Sequence, residues 1–267
     1  MNKIFVIFSI ILPFLLVACG DSKDEPSNNK EEVKTVTVNG VSFNMIKVNG
    51  GTFMMGASDD DSEAYDWEKP AHQVTLSSFY IGKTEVTQEL WKAVMQNNPS
   101  RYKGEQLPVE CVSWYTCQQF ITRLNELTGM KFRLPTEAEW EFAARGGNKS
   151  KGYLYAGSNN IGEVTWWELS DYGTTPTKPV AGRSPNELGI YDMSGNVEEW
   201  CQDSYDGYSG YSAGAQTNPI VDSESHGNRI LRGGSWDSFF EYEYRVTYRD
   251  CNIPSGNYAY FGFRLAM

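Results

Sequence analysis

The groups through which this chain can do chemistry are thiols, imidazoles and carboxylates, and their spacing narrows the options. Besides Cys19 near the N-terminus, the chain carries Cys111, Cys117, Cys201 and Cys251. No two form a Cys-x-x-Cys pair and none joins a Cys/His cluster, so a zinc site is not expected. His72 and His226 are the only histidines, which excludes a three-histidine metal centre within one chain. In an oxidising compartment four thiols allow three disulfide pairings, and spacing does not choose among them. The alternative is that some stay buried and reduced. Asp59-Asp60-Asp61 has no downstream ligand pattern, so it reads as a solvated surface loop. Arg133, Glu137, Glu139 and Arg145 sit inside apolar strings. In a loop-rich chain such charges tie backbone together through charge-assisted hydrogen bonds, and this reading stands ahead of catalysis.

The elements that must position these groups follow from periodicity and capping. Alternation from Thr35 to Val48 predicts a hairpin around Asn39-Gly40, and a short strand follows Gly50-Gly51 over Thr52–Gly56. Thr87 is the candidate cap of a helix over Gln88–Gln96, with Glu85 or Thr84 sharing that role. Ser113 caps a helix over Trp114–Thr128, with Phe120, Ile121, Leu124 and Leu127 at helical spacing and Gly129 as its stop. Pro135, Thr136 and Glu139 open a third helix, to Arg145, with a capping box. Beyond Gly146, Gly, Asn, Ser, Pro and aromatics dominate, with no repeat. Residues 35–267 read as one unit.

Charge and composition set further limits. The formal charge is −11, and 40% of residues are hydrophobic. An acidic chain is a poor nucleic-acid binder, because phosphate contacts need clustered Lys and Arg. The apolar content excludes intrinsic disorder. At the N-terminus Lys3 precedes an apolar run from Ile4 to Val17, too short for a spanning helix and laid out as a secretory signal over residues 1–18. It ends in Leu16-Val17-Ala18-Cys19-Gly20, which resembles the bacterial lipoprotein box. Acylation of Cys19 would anchor the chain to a membrane, in the cell envelope, as an outer-membrane lipoprotein. Residues 19–34 then form a polar tether. Its early acidic run resembles surface-export signals of some Bacteroidetes lipoproteins, and reads equally as a solvated linker.

Several separated strings point one way. They are Gly50-Gly51-Thr52-Phe53-Met54-Met55-Gly56, Lys83-Thr84-Glu85-Val86-Thr87, Val112-Ser113-Trp114 and Phe132-Arg133-Leu134-Pro135-Thr136-Glu137-Ala138-Glu139-Trp140-Glu141. Then come Gly189-Ile190-Tyr191-Asp192-Met193-Ser194-Gly195-Asn196-Val197-Glu198-Glu199-Trp200, Leu231-Arg232-Gly233-Gly234-Ser235-Trp236 and Gly262-Phe263-Arg264. From about Val41 to Met267 the chain resembles the sulfatase-modifying factor family, whose type member is the formylglycine-generating enzyme. The resemblance implies an α+β domain of the C-type-lectin-like kind, loop-rich with little regular secondary structure.

The resemblance also implies a site. Active members oxidise a sulfatase cysteine with oxygen and a copper-binding cysteine pair. The first of those cysteines falls here at Ser238, and the second at Glu243 or Tyr244, depending on the direction of counting. Ser, Glu and Tyr are poor ligands for cuprous ion, so copper and the oxidase chemistry are not expected. One calcium ion is implied at Asp192, the carbonyls of Gly195 and Val197, and Glu199, a donor set suited to a hard cation. A second calcium site is matched only in its first half, at Asn160-Ile161. Trp166-Trp167 and a rearranged Asp171-Tyr172 occupy the rest. Arg232, Arg245, Arg249 and Arg264 fall near the family's cleft, where they either receive an acidic or polar ligand or pair with Glu241 and Asp250. Trp236, Ser238, Tyr244, Arg245 and Arg264 are the cleft candidates. With Phe239, Phe240, Tyr242, Tyr258 and Tyr260, they suit a surface for a protein or glycan ligand, or a core. The leading expectation is a lipid-anchored, non-catalytic binding domain. A formylglycine-generating oxidase and a structural subunit of a gliding or secretion assembly are the alternatives.

Overall fold

Short strands and capped helices are where local signals are strongest, and the chain obeys them. The computed structural model describes residues 32–166, 176–205, 209–222 and 227–267. The Cys19 box, its signal and most of the tether lie outside the described residues, as do Trp167, Asp171, Tyr172 and His226. Strands β1 (Val33–Val38) and β2 (Val41–Val48) form the expected hairpin. Asn39 and Gly40 both take positive φ, 46° and 85°, as a tight hairpin turn requires. β3 (Gly51–Met55), β4 (His72–Leu76) and β5 (Phe79–Gly82) follow.

The helices are α1 (Gln88–Met95), α2 (Trp114–Thr128), α3 (Glu137–Ala144) and a one-turn α4 (Ile161–Val164). Thr87 alone caps α1, accepting from the Leu90 N–H at 3.2 Å. Thr84 instead donates to the Glu85 carbonyl, and Glu85 is a buried side chain rather than a cap. Ser113 and Thr116 build a capping box on α2, and Gly129 closes that helix at φ 67°. The inward stripe of α2 is Cys117, Phe120, Ile121 and Leu124. Leu127, read as part of that stripe, is 39% exposed, because the last turn passes the edge of the core.

The second half supplies β6 (Glu198–Tyr205), β7 (Gln216–Thr217), β8 (Asn228–Arg232), β9 (Arg249–Asn252) and β10 (Phe261–Gly262). Three small sheets result, in the orders β1-β2-β5, β3-β4-β7 and β10-β6-β8-β9. The last residues stitch two regions together. Gly82 N donates to Leu265 O at 2.8 Å, and Arg133 N to Ala266 O at 2.9 Å. No helix among the described residues is long and apolar enough to cross a membrane.

Helix α3 is the hub. All eight of its residues are buried, three of them glutamates. Each glutamate meets at least one guanidinium. Arg249 grips Glu137 at 2.6 and 2.8 Å, and Arg133 grips Glu139 at 2.5 and 2.6 Å. Glu141 receives Arg145 on one oxygen and Arg232 on the other. Burial alone would raise the Glu137 carboxyl, but Arg249 and Arg232 outweigh it and hold that carboxyl below its ordinary range. The charges inside apolar strings are thus tied into the scaffold. Asp203, at the N-terminus of α3, accepts from the N–H groups of Glu137 and Val221.

Two outcomes follow. Arg232→Met leaves Glu141 short of a cation in the core and should cost about 3–5 kcal/mol by chemical denaturation. Arg123→Met, which breaks an exposed pair with Glu126, should cost less than about 1 kcal/mol. The second outcome concerns pH. Burial, then the Glu137 carboxylate, pushes Asp203 up to about 7. An aspartate in the unfolded chain titrates near ~3.9. A raised folded pKa favours the folded state at low pH. The stability of the wild type relative to Asp203→Asn should be greatest below about pH 4, decline as the pH rises, and level off past about 7. Paired thermal melts across that range measure it.

Candidate functional site

Two faces of the β6 sheet organise the site. Side chains alternate along a strand, so Glu198 and Glu199 point to opposite sides. The register pairs Glu199 with Arg232 and Arg232 with Arg249, which places these three on the α3 side. It pairs Trp200 with Leu231 and Leu231 with Asp250, which places these three, with Glu198, on the other.

On the α3 side Glu199 is closed in. Its two oxygens accept from Arg264 at 2.5 and 2.6 Å, and one also accepts from Trp140 Nε1 at 2.7 Å. Arg264 donates further to the carbonyls of Gly82 and Tyr191. The loop leading to β6 turns through positive φ at Asp192, Gly195 and Asn196. A side chain at Gly195 would run into Thr165 Oγ1 at 1.9 Å, so only glycine fits there. Asp192 accepts from the Ala181 N–H at 2.6 Å and lies against Glu85. Glu85 is buried, and neither of its oxygens accepts from a donor in the protein. Burial, then the Asp192 and Glu199 carboxylates, pushes Glu85 well above its ordinary range.

These contacts test the calcium donor set implied by the sequence. Glu199 is committed to a guanidinium, so it fits a cation poorly. Asp192 fits, and the orphaned Glu85 carboxylate beside it fits better than Glu199. Glu85, Asp192 and Glu199 face one guanidinium, which leaves buried negative charge that a divalent cation would neutralise.

The positions of the family's cysteine pair hold packed oxygen groups. Ser238 Oγ accepts from the Ser235 N–H at 3.0 Å, and Glu243 accepts from the Phe240 N–H at 3.0 Å. Tyr244 is buried, and its hydroxyl donates to the Ser235 carbonyl at 2.8 Å. Trp236 Nε1 donates to the Ala259 carbonyl at 3.0 Å. All four described cysteines are free thiols. Burial pushes Cys117 and Cys201 well up, and burial with Glu110 pushes Cys111 to about 11. Thiols held protonated are poor ligands and nucleophiles.

The arginine alternatives also resolve. None of the four candidate arginines bonds Glu241 or Asp250. Arg245 reaches Glu68 at 2.9 Å, Arg249 reaches Glu137, and Arg264 reaches Glu199. Arg245 and Arg264 are buried in these pairs, so the cleft role expected of them gives way to a structural one. A cavity of about 320 Å³ opens beside α3, lined by His72, Glu137, Asp203, Tyr211 and Arg249. The Glu137, Asp203 and Arg249 lining groups are already bonded to one another or to backbone.

The aromatics of the C-terminal segment divide. Tyr244 belongs to the core, whereas Phe239 and Phe240 are 55% and 56% exposed. Phe240 stacks on Tyr242 at 5.2 Å, Tyr242 meets Tyr65 at 5.4 Å, and Tyr65 stacks on Trp67 at 4.4 Å. Tyr258 stacks on Tyr260 at 5.4 Å. Sequence reasoning missed Glu85, Tyr65 and Trp67. Their signal was weak, since each lies over a hundred residues from the segment it meets.

Comparison with known proteins agrees with this architecture. A "Chaperone protein LppX" of Paenibacillus barcinonensis is 35% identical over 246 residues, covering 74% of this chain and 80% of that protein. A "Formylglycine-generating enzyme" of Thermomonospora curvata is 29% identical over 287 residues, covering 83% of this chain and 92% of that protein. Among solved structures, Treponema denticola variable protein 1 superposes with a TM-score of 0.76 at 31% identity, covering 88% of this chain and 98% of that one. Residues 29–267 match the family described as "Sulfatase-modifying factor enzyme 1-like domain". The loop-rich α+β scaffold, the ordered motifs and these matches together establish that the chain belongs to the sulfatase-modifying factor family, with the formylglycine-generating-enzyme fold.

Proposed function

We propose that this chain is a lipid-anchored, non-catalytic member of its family that binds a protein ligand through the exposed aromatic face of its C-terminal segment. One observation carries the reading. Beside the positions where an oxidase would hold two thiolates, the chain holds Ser238, Glu243 and Tyr244 and presents Phe239 and Phe240 to solvent. Large exposed rings are costly unless a partner covers them. Phe240 is linked through Tyr242 and Tyr65 to Trp67 in a continuous aromatic platform, with Phe239 next to it in the chain. A protein ligand is favoured over a glycan because phenylalanine offers apolar area without a hydrogen-bonding edge. Anchoring rests on the Cys19 box, and places the platform in the cell envelope.

The test is a photo-crosslinker at Phe240, with a control at Arg123 on α2, in the native envelope. A protein captured from Phe240 and not from Arg123, and lost with Phe239→Ala, is the expected result. Capture of glycan only would overturn the ligand class. Incubation with a sulfatase-type peptide, copper and oxygen should leave the peptide's cysteine unchanged, and a mass loss there would restore the oxidase reading.

We further propose one calcium ion, held by Asp192 and Glu85 with the Gly195 and Val197 carbonyls. The ion would neutralise buried carboxylates and brace the loop before β6. A ligand bound only to the folded state raises its stability. Chelation should therefore lower the melting temperature of the wild type, and Glu85→Gln should abolish the difference. No chelator effect on the wild type removes the ion. An effect that survives in Glu85→Gln and vanishes in Glu199→Gln returns the site to Glu199.

A further inference from the structure

Glu198 stands apart from every other buried acid of the sheet. It is 6% exposed, on the face of β6 opposite Glu199. No hydrogen bond or ion pair reaches its carboxylate among the described residues. The charged groups that face it are Asp250 of β9, Glu243 of the 3-10 turn after Phe240, and Asp237. Not one is basic. Tyr244, Tyr248 and Tyr260 close around the same carboxylates. Burial, then Asp250, Glu243 and Asp237, pushes Glu198 well above its ordinary range. On the other face of the sheet Glu199 is paired with Arg264. Here the acids remain and the cation is missing.

The missing cation has a definable chemistry. Among the described residues, no three His, Cys, Asp or Glu side chains converge closely enough to hold a metal ion. Carboxylates that surround a site without converging, walled by tyrosine rings, suit a larger organic cation. Two members of the group, Asp237 and Glu243, flank Phe239 and Phe240 in the chain, so the group adjoins the proposed binding face.

We propose that the acidic, tyrosine-walled patch around Glu198 receives a cationic side chain, lysine or arginine, of the protein ligand. The inference rests on the binding reading above and adds its specificity. The aromatic platform supplies apolar contact, and Glu198 selects a ligand that carries positive charge beside its apolar surface.

The experiment uses small probes and the full chain. Butylammonium and butylguanidinium are titrated against it, with butanol as the neutral control, following the Trp236 indole and nearby amide resonances. The expected result is a saturable shift with both cations and none with butanol. Glu198→Gln should weaken both probes by about tenfold, a loss of ~1.4 kcal/mol. Glu243→Gln replaces it should Glu198→Gln fail to fold. No saturable shift, an equal response to butanol, unchanged affinity in Glu198→Gln, or the same shifts produced by calcium alone would each overturn the inference. A partner that crosslinks at Phe240 and is indifferent to Glu198→Gln leaves the binding reading standing and removes this one. Cation binding without any partner does the reverse.

Discussion

The structure depends on buried guanidinium–carboxylate pairs. A chain with this little regular secondary structure leaves many backbone carbonyls without ladder partners, and those groups must still be satisfied when buried. Arginine answers that need with five donors in a fixed fork. Arg232 donates to the carbonyls of Val246, Thr247 and Tyr248 as well as to Glu141. Arg264 does the same for Gly82 and Tyr191 while gripping Glu199. Arg249 takes the Trp67 carbonyl and Glu137, and Arg245 takes the Glu63 carbonyl and Glu68. Each of the four therefore joins the C-terminal part of the chain to a distant segment. Helix α3 and the first residues of β6 are the places where most of these joins meet.

That arrangement shapes the surface as well. The chain has 23 Lys and Arg against 34 Asp and Glu. Four of its arginines are withdrawn into the interior, where they neutralise glutamates. The opposite face of the β6 sheet, at Glu198, consequently carries an acid with no counter-charge among the described residues. The same interior demand that builds the fold thus leaves Glu198 among acids rather than arginines, in a chain region that also exposes Phe239 and Phe240.

The alternation of β6 makes the division sharp. Glu198 and Glu199 are neighbours in sequence and chemically identical, yet one is locked to Arg264 and the other meets only acids and tyrosines. Sequence carry-over placed a calcium ligand at Glu199 and passed over Glu198. The fold gives the two glutamates opposite surroundings, because which side of a strand a residue occupies is set by its register with β8 and β9.

By itself the sequence determined what is local. The Asn39-Gly40 hairpin, the Thr87, Ser113 and Thr136 caps and the Gly129 stop are legible because a turn or cap is decided within four residues. The ordered motifs identified the family, and the cysteine-free positions at Ser238, Glu243 and Tyr244 were plain in the string of letters. Only the tertiary structure decided which acid meets which base. Arg245 and Arg264 left the cleft for the core, Leu127 left the core for the surface, and Glu85 became an orphaned buried carboxylate rather than a cap. Those outcomes hang on contacts between segments up to 182 residues apart. Burial and pairing are properties of such long-range contacts, and no spacing within a single segment encodes them.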